Sequence, residues 1–88
     1  MKFVVDWKEV NRIKSKILEV PKDRGLAETL NHAFNTLYIA LLALENPDKY
    51  ANLIGVEDWA IYQINNVKGR LYRLAGISTN SLWSVDNE

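Results

Sequence analysis

The chain has 88 residues, no cysteine, and eleven basic residues balanced by eleven acidic ones. A chain of this length forms one domain with a thin core, and without cysteine it has no disulfide or thiolate zinc site to reinforce it. Its hydrophobic content of 48% is that of a globular chain and too high for a disordered one, while zero net charge counts against a protein that coats nucleic acid.

The charge is unevenly spread. Residues 1–25 hold seven Lys or Arg against four acids, and residues 45–58 hold four acids against one lysine. Residues 59–85 hold Lys68, Arg70 and Arg73 and no acid. The first five residues run directly into Asp6, which is not the pattern of a secretory signal. The longest apolar run, Leu37 to Leu44, is far short of the roughly 20 residues that cross a bilayer. These features predict a cytoplasmic protein with no membrane association.

The pattern predicts an all-α fold, a small helical bundle. Three main helices over 6–20, 25–45 and 57–75 are joined by one short helical turn. A helical domain over 1–77 is followed by a C-terminal tail over 78–88. In the first helix Asp6 is the N-cap and Glu9 stands at the capping-box position, with Val5 and Val10 placed as a hydrophobic staple. Val10, Ile13, Ile17 and Val20 form its apolar stripe, and Pro21 ends it. Lys8, Arg12 and Lys16 lie near the opposite side as a solvated face.

The second helix opens at Gly25 or Asp23 and closes at Asn46-Pro47. Leu26, Leu30, Phe34, Leu37, Leu41 and Leu44 make its core face, beside Ala33. Its outer side changes character along its length. Glu28, His32 and Asn35 lie there first, then Ile39, Leu42 and Ala43. An apolar outer side demands cover. The 47–53 turn or the Leu82-Trp83 tail provides it, or a second copy does in a homo-oligomer. On the last reading, Leu42→Asp shifts the assembly state and leaves helicity intact.

Asn46-Pro47-Asp48 reads as an N-cap with proline at the first helical position of a short turn over about 47–53, ended by Gly55. The third helix has Ala60, Ile64, Val67, Leu71 and Leu74 as its core stripe and Gly76 as a left-handed cap, with Ile77 as its hydrophobic follower. Glu57 and Asp58 suit its N-terminal end, and Lys68, Arg70 and Arg73 its C-terminal end. The tail is polar except for Leu82, Trp83 and Val85. Pairing of Phe3-Val4-Val5 with Leu82-Trp83-Ser84-Val85 as short strands is the less favoured arrangement.

The chain contains no glycine-rich phosphate loop, HExxH, GxSxG or EF-hand pattern. His32 is the only imidazole. Glu28 precedes it by four residues, which is half of a metal site at most and reads better as an exposed pair. Adjacent Glu57 and Asp58 diverge around their helix and so do not converge on a cleft. No catalytic group, metal site or cofactor is therefore expected, and the chain reads as a non-catalytic binding or regulatory protein.

The feature that points to function is on the third helix. Trp59, Tyr62, Asn66, Arg70 and Arg73 follow one another at spacings of three, four, four and three, which places them in one arc about 80° wide. Gly69 lies beside this stripe and permits close approach. Trp, Tyr and Arg dominate protein interfaces, so a protein partner is the first expectation. Aromatics with cations also stack on bases and hold phosphates. Binding of nucleic acid or a nucleotide through Lys68, Arg70 and Arg73, with Lys8 or Arg12 nearby, is the alternative. The plainest reading is that Trp59 and Tyr62 flank the core and the arginines are solvated.

Overall fold

The structure, a computed structural model, describes residues 2–20, 23–50 and 55–86. The elements in chain order are strand β1 (Lys2–Val5), helix α1 (Trp7–Glu19), helix α2 (Arg24–Glu45), a 3-10 turn (Pro47–Tyr50), helix α3 (Val56–Ala75) and strand β2 (Trp83–Asp86). Three helices and a short turn are those the sequence predicts, and the fold is a small all-α bundle with a two-stranded ribbon added.

Each helix begins and ends where local chemistry sets it. The Asp6 carboxylate accepts the Lys8 and Glu9 amides at 3.1 and 3.2 Å, which satisfies two of the unpaired donors of α1. Val20, ahead of Pro21, turns extended (φ −67°, ψ 131°) and ends that helix. Asp23 caps α2 by accepting the Leu26 amide at 2.8 Å. Gly76 adopts φ +65° beyond the end of α3, and its amide donates to the Tyr72 carbonyl at 2.8 Å. A left-handed backbone at that point favours glycine over any residue with a Cβ.

Two expected caps work differently. Glu9 does not return to the Asp6 amide, which instead donates to the Leu82 carbonyl at 2.9 Å. The Asn46 side chain does not open the following turn. Its Nδ2 donates back to the Leu42 carbonyl at 3.3 Å and so closes α2. The turn that follows is 3-10, with the Lys49 amide on the Asn46 carbonyl at 3.1 Å. Residues 51–53, the rest of the expected 47–53 turn, lie outside the described residues.

The largest interface in the fold is between α2 and α3, and α1 and β1 also pack against α2. The core collects Val10, Ile13 and Ile17 from α1, Leu30, Ala33, Leu37, Leu41 and Leu44 from α2, and Ala60, Ile64, Val67 and Leu71 from α3. Leu26 and Phe34 only border it. Leu74, expected in the core stripe, is 39% exposed, and Ile77 is buried just past the helix end.

The C-terminal segment is docked on the body. β2 pairs antiparallel with β1 in the register Phe3–Val85 and Val5–Trp83. The arrangement the sequence favours less is thus the one that forms. Leu82 is buried in the same core as the helices, and the Trp83 ring meets Phe3 edge-on at 5.4 Å. A free two-stranded ribbon is marginal in water. This one is held because Phe3, Val5 and Leu82 bury their side chains in the bundle.

Candidate functional site

The α3 stripe is the surface to build from. Its core residues Ala60, Ile64, Val67 and Leu71 turn one side of the helix inward. The geometry of a helix then sends Trp59, Tyr62, Asn66, Arg70 and Arg73 outward. Tyr62 is 66% exposed and Trp59 41%. Asn66 and Arg73 are exposed, and Arg70 is half-buried. The structure therefore keeps all five together on one outer face. Neither aromatic is a closed part of the core.

Among the described residues, Lys68, Arg70 and Arg73 make no side-chain hydrogen bond or ion pair. The Arg73 guanidinium folds back one turn and lies over Gly69, with Nη1 about 3.0 Å from where a Cβ would stand. Gly69 thus makes room first for the chain's own arginine. Lys68 is half-buried on the flank of the helix, outside the stripe.

The phosphate alternative also invoked Lys8 and Arg12, of which Lys8 is exposed as expected and Arg12 is engaged within the chain. Arg12 is partly exposed but paired. Its Nε and Nη2 donate to the two oxygens of Glu9 at 2.7 and 2.6 Å, and Nη2 also donates to the Ser78 carbonyl at 2.8 Å. Glu9 is buried and further accepts the Asn80 amide at 2.7 Å and its side-chain Nδ2 at 3.3 Å. The Arg12 guanidinium holds the Glu9 carboxyl well below its ordinary range, at about 2; burial opposes this, and Asn80 adds to it. The same pairing raises the pKa of Arg12. This cluster clips the 78–80 connector to α1. Glu9 and Arg12 are neighbours on one helical turn, but the link of Glu9 to Asn80 spans 71 positions and leaves no local trace.

The outer side of α2 is smaller than expected. Ile39 is 51% exposed and Leu42 half-buried, but Ala43 is fully buried within the chain itself. This end of α2 is flanked by two other parts of the chain. The 3-10 turn packs against both α2 and α3. On another side Glu45 accepts the Val5 amide and the Trp7 indole N–H, both at 3.3 Å, and Trp7 lies 5.5 Å from the Tyr38 ring. The aromatic group Trp7, Phe34 and Tyr38 is a second partly exposed feature that sequence spacing did not collect, because Trp7 belongs to another helix.

The Glu28–His32 pair does not form. Glu28 pairs with Arg24 at 3.4 Å, one turn earlier, and His32 stands exposed. Among the described residues no three His, Cys, Asp or Glu side chains converge to hold a metal ion, and no helix is long and apolar enough to cross a membrane. A cleft of about 400 Å³ lies between the ends of α1 and α3, lined by Arg12, Lys16, Glu19 and Ile77. Its acid and its arginine are both paired, Glu19 with Lys16 and Arg12 with Glu9.

The chain matches no protein-family model, no curated protein and no solved structure.

Proposed function

We propose that this is a non-catalytic binding protein that acts through protein–protein contacts and self-associates, with the outer face of α3 as its main contact surface. The observation that carries the reading is the joint exposure of Trp59, Tyr62 and Arg73 on a helix whose opposite side is fully committed to the core. Exposing two large aromatics has a solvation cost that a partner relieves. The stripe also combines the three residue types that contribute most to interface energy.

Charge favours a protein over a nucleic acid as the occupant. Glu57 and Asp58 are exposed in the first turn of the same helix, where they repel a polyanion lying along it. Arg12, one of the cations that would extend a phosphate-binding surface, is taken by Glu9.

The test is the mass in solution by light scattering behind a sizing column, with a single-stranded oligonucleotide added at low salt in a second run. A dimer or larger assembly unchanged by the oligonucleotide supports the reading. A monomer overturns self-association. A monomer that co-elutes with the oligonucleotide, and loses it on raising the salt, transfers the α3 face to nucleic-acid binding.

A further inference from the structure

The five stripe residues are symmetric in sequence. Asn66 is central, Tyr62 and Arg70 lie four residues to either side, and Trp59 and Arg73 lie seven. On a helix rising 1.5 Å per residue, these pairs stand about 6 and 10.5 Å from Asn66 in opposite directions. The two halves are chemically complementary: one is aromatic, the other cationic. If the helix is turned end for end about an axis through Asn66, Trp59 comes level with Arg73, Tyr62 with Arg70, and Asn66 with itself.

We propose that the occupant of the α3 face is a second copy of the chain, docked antiparallel on a two-fold axis that passes beside Asn66. This deepens the self-association reading and rests on it. An isologous contact requires a patch complementary to itself under a two-fold rotation, and this stripe has that property residue by residue. Cations then sit over aromatic faces, which attract them. The observed Arg73 conformation suits this arrangement. Folded back over Gly69, its guanidinium is level with the second copy's Tyr62, and its aliphatic stem is left for Trp59. The helix ends agree as well, because the first turn of one copy comes level with the last turn of the other and antiparallel helix dipoles attract. Asn66 at the axis pairs with its own copy through one donor and one acceptor.

The absence of cysteine makes a direct test possible. Asn66→Cys places one thiol at the proposed axis, where a disulfide forms only if the two Cα atoms come within about 7 Å. Asn11→Cys, on the exposed side of α1, is the control. Both proteins are checked for native helicity and oxidised mildly at about 0.5 mM chain, because one helix face per copy is a small interface of modest affinity. The inference expects Asn66→Cys to become a covalent dimer about tenfold faster than Asn11→Cys or more. Equal rates, with a dimeric mass for the unmodified chain, overturn the two-fold α3 contact and leave self-association through another face. A monomeric mass at that concentration overturns both. If Asn66→Cys fails to fold, the mass of Arg70→Glu/Arg73→Glu decides: a persistent dimer contradicts the inference.

Discussion

Glu9 is the side chain that ties the 78–80 connector to α1. It is a buried carboxylate with four donors from two residues, Arg12 on its own helix and Asn80 on the far connector. Removing it in Glu9→Ala deletes these hydrogen bonds, although the partly exposed Arg12 and exposed Asn80 can turn to water, and should cost about 1–2 kcal/mol in chemical denaturation. The pH dependence has a definite sign. The folded pKa of about 2 lies below the ordinary 4.5, so the stabilisation is full above about pH 5 and is lost as pH falls toward about 2. Glu9→Gln should flatten that part of the stability curve. An unchanged acid limb in Glu9→Gln would mean that another carboxylate governs it. Gly76 offers a second check. Its φ of +65° is strained for other residues, and no atom lies within 4 Å of where a Cβ would stand. Gly76→Ala should therefore cost about 1 kcal/mol from backbone conformation alone.

At the scale of elements, the helices were clearly legible and the ribbon only as the less favoured arrangement, for a physical reason. Asp6, Asp23, Pro21 and Gly76 act on backbone within a few residues of themselves, so their effects are written locally. The core stripes of α1 and α3 follow the helical repeat and were readable to within one residue of their ends, with Leu74 the exception. Strand pairing between residues 2–5 and 83–86 has only a weak local signal: each strand is four residues long, and its stability comes from burying Phe3, Val5 and Leu82 in a core made by the helices. The burial of Ala43 was hidden in the same way, since it depends on what packs beside α2 rather than on α2 itself. The ribbon makes a quantitative prediction. Leu82 is 2% exposed, so Leu82→Ala should destabilise the whole domain by about 2–4 kcal/mol in one cooperative transition. If only the last residues detach, with the helical transition unmoved, then β2 is an appendage and the core ends at Ile77.

For the whole molecule, two surfaces are candidates for the proposed contact between copies. The α3 stripe was legible because five residues on one helix share an arc by spacing alone, and the structure leaves that arc open. The α2 face has shrunk to Ile39 and part of Leu42, because the rest of it is closed by the fold. Leu42 is half-buried, so Leu42→Asp would disturb packing as well as any contact, and Ile39→Asp is the cleaner probe. Ile39→Asp should leave the assembly mass unchanged. A shift to monomer on that substitution would return the contact to α2. The most direct measurement is sedimentation equilibrium of the intact chain beside Arg70→Glu/Arg73→Glu. Twice the 10.1 kDa chain mass for the first and the single chain mass for the second is the predicted result. The same mass for both proteins would contradict the α3 contact.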